Sequence, residues 1–475
     1  MTVRLTKIIA TLGPASGTKI KIKELVKTGV NVFRLNLSHG DHEVVRQWIC
    51  WIRETEEELK TFVGILLDLQ GPKIRVGKFK DGSIELKNGR EVVFTTEKVV
   101  GTETLVPIQY ASFHKDVKPG DQVFLNDGNL RVEVKKVSGK RVTVVVKAGG
   151  TLSDHKGVNL PDSSLTTSPL TPKDRKDLQF GLKAGVDFVA LSFVGRGKDI
   201  DQLRRLIRTS GGDAEIIAKI ERKQAVQNLE EIVAATDAVM VARGDLGVEI
   251  PFADVPVVQQ KILMECARMC KPVIVATQML ESMITNPRPT RAEVSDVANS
   301  VMYHADAVML SGETAVGKHP VAAVKVMVET ALKAESYKGE SHQIPRWNLP
   351  FVKNPPIERS ITYSANYLVK MLHAQAIIVF TLSGRTARMM AAPNPMVPIF
   401  AFTSSLDRAR RLTLLRGTIS FLMDKNKDFL EDMEALFRVL KNRHLVKKND
   451  RLVITAGLPY HIPNRTNVVR VEVVS

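Results

Sequence analysis

The stretch Glu215-Ile216-Ile217-Ala218-Lys219-Ile220-Glu221, an amphipathic segment, and then Ala238-Val239-Met240-Val241-Ala242-Arg243-Gly244-Asp245 decides the reading of the fold. Both runs are short and apolar with β-branched residues, and both end in charge. Two such runs separated by a helix-length segment make a βαβ unit of a parallel sheet. Working outward, the same rhythm begins at Lys7-Ile8-Ile9-Ala10-Thr11-Leu12, closed by Gly13-Pro14, and recurs at 32–37 and 63–68. It resumes with a helix at Thr171-Pro172 and with runs at 187–193, 272–278 and 307–312. Eight parallel runs, each followed by a helix, are the arithmetic of a closed (β/α)8 TIM barrel.

Between 73 and 165 the helical period is lost. Alternating pieces at 122–125, 131–134 and 141–146 sit between turn pairs such as Asp81-Gly82, Asn88-Gly89 and Ser138-Gly139. That pattern predicts a small all-β domain inserted after the third barrel strand. Residues 341–356, rich in Pro and polar side chains, read as a linker, and strands at 376–381, 397–403, 452–456 and 468–474 follow. The expected organisation is therefore α/β: a barrel of 1–72 and 166–340, an insert of 73–165 and a C-terminal α/β domain of 355–475.

Composition narrows the function. With 475 residues the chain exceeds one hydrophobic core, so several domains are expected. No apolar run is long enough for a bilayer and no leader is visible, so no membrane association is expected. Three cysteines are too few for a disulfide framework, which fits a reducing cytoplasm. The net charge of +17 is spread along the chain, and 5% aromatic content brings no aromatic-basic interleaving. Nucleic acid is thereby disfavoured as a partner and small anionic substrates are favoured.

In a β/α barrel the carboxyl ends of the strands face the active site, while the interior is mostly aliphatic. Here those ends are polar. The second run ends with Arg34, Asn36 and Ser38, the third with Asp68, the fifth with Lys219 and Glu221, and the sixth with Arg243, Gly244 and Asp245. The seventh ends with Thr277 and Gln278, the eighth with Ser311, Gly312, Glu313 and Thr314. Alternate residues share a strand face, so Lys219 should point with Glu221, and Arg243 with Asp245. Carboxylates from neighbouring strands, Glu221 and Asp245, suit Mg2+ or Mn2+, with positions left open for substrate oxygens. Sulfur and imidazole are missing from this rim, which argues against zinc. Lys219 and Arg34 add positive charge for an anion beside the metal. The plain alternative is a ring of structural ion pairs, Glu221 with Lys219 and Asp245 with Arg243. The Gly244-Asp245-Leu246-Gly247 turn weighs against it, because amides freed at a helix start bind carboxylate or phosphate. Cys266 and Cys270 fall on an apolar stripe and read as core.

These residues closely resemble the pyruvate kinase family over essentially the whole chain. The carriers are the run from Lys7 to Pro14, Arg34-Leu35-Asn36-Leu37-Ser38-His39-Gly40, Lys156-Gly157-Val158-Asn159-Leu160-Pro161 and Ala218-Lys219-Ile220-Glu221. To them add Arg243-Gly244-Asp245-Leu246-Gly247, Ala276-Thr277-Gln278-Met279-Leu280 and Ser311-Gly312-Glu313-Thr314-Ala315. The resemblance implies Mg-dependent phosphoryl transfer from phosphoenolpyruvate to ADP, giving pyruvate and ATP. It makes Lys219 the charge stabiliser, Arg34 the grip on the phosphoryl group and Glu221 with Asp245 the metal's carboxylates. Gly244 would bind the substrate carboxylate, and Thr277 would contact substrate near the carbon that is protonated. Asn36, His39, Arg75 and Lys156 would meet the nucleotide. The insert would be a mobile lid, the C-terminal unit a regulatory domain, and the assembly a homotetramer.

Many members of that family need K+, held by Asn36, Ser38, Asp68 and the carbonyl of the following residue, here Leu69. Those members carry Glu in a Gly-Pro-Glu-Ile-Arg motif, and Thr after the aspartate. This chain reads Asp68-Leu69-Gln70-Gly71-Pro72-Lys73-Ile74-Arg75. Lys73 resembles the substitute in cation-independent members, so activity without K+ is expected. Thr381-Leu382-Ser383-Gly384-Arg385-Thr386 follows a strand and opens a helix, a setting that can cradle an effector phosphate or be an ordinary turn. Arg416-Gly417 and the segment from His461 to Thr466 stand where fructose-1,6-bisphosphate-regulated relatives often carry Trp-Gly and a Gly-rich loop. A sugar phosphate, a nucleoside monophosphate or no effector are the alternatives. A barrel lyase acting on pyruvate-like acids is the rival within the same chemistry, and it would have no nucleotide to hold.

Overall fold

The computed structural model describes residues 3–38, 40–163, 168–337, 355–424, 429–459 and 465–475. His39, the linker at 341–354, the insert's return at 164–167 and positions 461–464 lie outside the described residues.

Eight parallel strands close a barrel: β1 (Lys7–Thr11), β2 (Val32–Asn36), β3 (Gly64–Asp68), β4 (Phe188–Leu191), β5 (Glu215–Ile220), β6 (Ala238–Ala242), β7 (Val273–Ala276) and β8 (Ala307–Leu310). Each pairs with its neighbour and β8 pairs back onto β1, with Lys7 opposite Ala307. Period two sorts the side chains. Ile9, Val32, Ile217, Met240, Ile274 and Met309 fill the interior, while Ile8, Phe33, Ile216 and Val241 pack outward beneath the helices. A residue from the far domain, Leu414, joins the interior cluster.

The chain leaves the barrel at Gly71, whose φ of +68° disfavours a side chain. A Cβ there would also come within 2.6 Å of the Phe193 ring. The insert is a six-stranded sheet built around the hairpin Leu130–Ser138 and Arg141–Ala148, with a separate two-stranded sheet of Ser83–Leu86 and Gly150–Ser153. The barrel resumes with helix Pro172–Ala184, capped by Thr171 in a reciprocal box with Asp174.

The C-terminal unit is a five-stranded sheet in the order β11 (Thr418–Leu422), β10 (Ile399–Thr403), β9 (Ala376–Phe380), β12 (Arg451–Ala456) and β13 (Val468–Val473). Only β13 is antiparallel. Strand β11 is absent from the sequence reading, because Thr418-Ile419-Ser420-Phe421-Leu422 carries weak alternation on an edge.

This domain docks on the amino-terminal face of the barrel through charge. Arg410 donates to Glu56 at 2.6 and 2.9 Å, Arg388 and Arg408 both reach Glu215, and Arg411 pairs with Asp213. Lys7, buried at the start of β1, donates to the Thr418 carbonyl at 2.6 Å. The two ends of the barrel strands thus carry different chemistry. One end holds the third domain, and the other is free to form a site.

Candidate active site

At the carboxyl ends a cavity of about 130 Å³ is lined by Arg34, Asn36, Ser38, Asp68, Leu69 and Gln70 on one side. Lys73, Ser192, Phe193, Lys219, Glu221 and Asp245 line the rest. Polar residues predicted from separate strands therefore share one chamber.

Lys219, on β5, is at its centre. Its ammonium donates to Ser192 Oγ at 2.7 Å and lies 3.2 Å from Glu221 Oε2 and 3.6 Å from Asp68 Oδ1. Burial alone would lower its pKa, but Asp68, Glu221 and Asp245 outweigh burial and raise it, so the ammonium stays charged. Ser192 is fixed in turn by donating to the Leu69 carbonyl at 2.8 Å. Arg34 reaches Asp68 Oδ2 at 2.7 Å and donates to Thr11 Oγ1 at 3.2 Å. Burial pushes Asp68 up, yet Lys219 and then Arg34 prevail and hold it below the usual carboxylate range. Its second oxygen, Oδ1, is buried with no hydrogen-bond partner.

Glu221 follows the last residue of β5 and accepts from the Phe193 amide at 2.6 Å. Burial pushes its pKa up to about 7, against the opposing pull of Lys219 and with help from Asp245. Phe193 adopts φ of +58°, Thr277 +68° and Gln278 +53°. Positive φ at non-glycine residues stores backbone strain and clusters at functional sites.

The sixth strand ends earlier than its apolar pattern suggests. Strand β6 stops at Ala242, and Arg243–Glu249 is a helix, so Arg243 and Asp245 do not share a strand face. Gly244-Asp245 lies in the first turn of that helix, whose amides have no intrahelical acceptor. Arg243 pairs with Asp296 at 2.7 Å and donates to the Thr277 carbonyl at 2.8 Å. The ion-pair alternative thus applies to Lys219 with Glu221 but not to Arg243 with Asp245. Thr277 Oγ1 accepts from the Gly244 amide at 2.7 Å, which locks β7's end to that helix. Glu313 accepts from the Leu280 and Ser311 amides at 3.0 and 2.7 Å, a loop-pinning role outside the cavity lining.

Arg75 and Lys156 stand together where the insert joins the barrel. Arg75 bridges to Gly157 and donates to the His155 carbonyl at 2.9 Å, and the Val76 amide donates to the Lys156 carbonyl. Neither lines the cavity. Lys73 does, and its ammonium makes no direct hydrogen bond among the described residues. Lys73 is exposed, yet desolvation against the cavity wall, then Arg75 and Lys219, lower its pKa. In the C-terminal domain, Thr381 Oγ1 accepts from the Gly384 amide at 3.0 Å, and Ser383 Oγ from the Arg385 amide. Thr386 bonds to Thr466 at 2.6 Å, and Arg385 is exposed.

Sequence reasoning missed Ser192, Phe193 and Thr11. Thr11 ends and Ser192 directly follows an apolar strand run without a distinguishing neighbour, and Phe193 is an apolar residue whose hydrogen bond to the site comes from its amide. The residues present fit a divalent metal. No group of three or more His, Cys, Asp and Glu side chains forms a cage among the described residues. Two carboxylates, Glu221 and Asp245, in a cavity that also holds an Asp68 oxygen without a hydrogen bond suit a hard ion that keeps substrate oxygens and water.

Fold and cavity together define a β/α-barrel enzyme whose site suits an anionic, metal-bound substrate. The description "Pyruvate kinase, barrel domain" matches residues 3–324, and "Pyruvate kinase, alpha/beta domain" matches residues 359–472. The pyruvate kinase of Thermotoga maritima is 41% identical, over 99% of each chain. That of Clostridium perfringens is 40% identical over 98% of this chain and 99% of its own. A crystal structure of a pyruvate kinase from Cryptosporidium parvum superposes with a TM-score of 0.94 at 34% identity, covering 99% of this chain and 96% of that one. The chain belongs to the pyruvate kinase family.

Proposed function

We propose that this chain transfers the phosphoryl group of phosphoenolpyruvate to ADP, giving pyruvate and ATP, as the last step of glycolysis. The observation that carries the assignment of roles is Lys219, a partly buried cation held between Asp68 and Glu221 in the cavity. Phosphoryl transfer asks for alignment and charge neutralisation more than covalent chemistry. Lys219 offsets charge on the bridging oxygen as it becomes an enolate, and Arg34 grips the phosphoryl oxygens. Glu221 and Asp245 would hold Mg2+ or Mn2+, which would supply positive charge to neutralise the substrate oxygens. Gly244 and its neighbours take the substrate carboxylate. Thr277 stands beside Gly244 and contacts substrate near the carbon that receives the proton.

Asn36, His39, Arg75 and Lys156 bind the nucleotide, and closure of the insert excludes water. Lys73 supplies the charge that K+ brings elsewhere to Asn36, Ser38, Asp68 and the Leu69 carbonyl. The turn of Thr381, Ser383, Gly384, Arg385 and Thr386 is a candidate seat for an effector phosphate. A homotetramer working in the cytoplasm completes the reading; no helix among the described residues is long and apolar enough to cross a membrane.

A coupled assay with phosphoenolpyruvate and ADP tests it. Loss of phosphoenolpyruvate should require both ADP and a divalent cation. Loss that proceeds without ADP would point to the lyase instead.

A further inference from the structure

Two cavity-lining residues, Asn36 and Ser38, flank one carbonyl, that of Leu37, and this carbonyl accepts from Lys173 Nζ at 2.7 Å. Lys173 lies in the first turn of helix Pro172–Ala184 and does not line the cavity. Its ammonium is held 2.5 Å from Asp177, a buried carboxylate one turn along. Asp177 Oδ1 lies 2.9 Å from His42 Nε2, and the His42 ring stacks on Phe180 at 4.2 Å. His42 heads the helix that follows the same loop. The loop after β2 is therefore gripped at both ends by one helix. The same helix also holds the loop after β3, since the Gly71 amide donates to Asp174 at 3.2 Å.

We infer that Lys173, held by Asp177 and His42, is a positioning residue that sets the Asn36–Ser38 loop for the nucleotide. The inference rests on the reading of Asn36 as a nucleotide contact. A carbonyl held by an ammonium cannot rotate freely, so the side chains on either side of it keep their directions into the cavity. Phosphoenolpyruvate is held by Lys219, Arg34 and the Gly244 turn, none of which touches this clamp. Its loss should therefore fall on ADP.

The test is steady-state kinetics of Lys173→Met and Lys173→Arg with Mg2+, varying each substrate in turn. The Lys173 side chain is 48% exposed, so the fold should tolerate both changes. Loss of one charge-assisted hydrogen bond should raise KM for ADP about fivefold to tenfold. KM for phosphoenolpyruvate and kcat should stay within about twofold, and Lys173→Arg, which can still donate to Leu37, should recover most of the ADP affinity. An unchanged KM for ADP would overturn the inference. So would an equal rise for both substrates, or a fall in kcat alone, either of which marks general structural damage. A wild-type enzyme without ADP-dependent turnover would instead bring down the functional reading, and this inference with it.

Discussion

The Lys219 ammonium lies 3.2 Å from Glu221 Oε2, two residues further along the same strand end. Period two places them on one face, and burial makes each depend on the other. On the proposed reading, Lys219→Met removes the cation that offsets the developing enolate. A thousandfold loss of kcat is expected, at about the size seen for deleted electrostatic contacts to a transition state. Arg34 still pairs with Asp68, so the circular dichroism spectrum should be unchanged. A fully active variant would refute the role given to Lys219.

Lys73 lines the cavity together with Asp68, whose charge acts on its ammonium. The wild-type enzyme should therefore work in K+-free buffer, with less than about tenfold activation on adding the ion. Lys73→Glu withdraws that charge and should create a K+ requirement. Titrating K+ against rate for both proteins decides the matter, and strong activation of the wild type would sink the idea.

Burial, followed by repulsion from Arg4, lowers the Lys7 pKa to about 7, with Glu335 opposing and Arg416 assisting. The unfolded chain keeps the usual lysine value near 10.4. Between those values the unfolded state binds more protons, so stability rises with pH from about 7 towards 10. Below about pH 7 the full cost of a buried charge is present. Lys7→Met removes the titration. The Tm difference, variant minus wild type, should then be most positive below pH 7 and shrink as pH rises. A difference that is flat across this range would contradict the assignment.

Much of this was legible because two periodicities leave marks in sequence. The barrel strands are buried on both faces, so runs such as Val239-Met240-Val241 announce themselves. Lys219 and Glu221 were readable as neighbours, since a strand fixes which residues share a face. Asp245 was readable as a carboxylate near that end and the glycines around it as a helix start, but the break at Ala242 was not, because period two carried on through Arg243 and Asp245 fits a longer strand equally well. Ser192 was illegible for a different reason. Its hydroxyl acquires meaning only when β4 and β5 lie side by side, and a single chain does not print that contact. The docking of Arg388, Arg408 and Arg411 was equally hidden, because their partners lie more than 170 residues away.

Arg410 meets Glu56 through two nitrogens, and Glu56 is buried. Arg410→Ala leaves that carboxylate with only Arg53 at 3.4 Å and the Val63 amide. Breaking one side of a buried pair costs about 3 kcal/mol. The C-terminal domain should unfold separately and at lower temperature, splitting a single calorimetric transition into two. A single transition at the wild-type Tm would show that the latch contributes nothing.

Thr277 holds φ of +68°, costly for a β-branched residue, while its hydroxyl accepts from Gly244 and donates to the Ala276 carbonyl at 2.6 Å. Thr277→Ala and Thr277→Gly both delete the hydroxyl, so both should lose activity by about a hundredfold. They differ only in backbone freedom. Glycine adopts positive φ without a clash, whereas alanine keeps the Cβ penalty, so the glycine variant should be the more stable by about 1 kcal/mol. In an ordinary loop the order would reverse, because glycine adds entropy to the unfolded chain. Urea midpoints of the two variants therefore read the strain directly. If alanine proves the more stable, the strained conformation is not what holds Thr277 against the site.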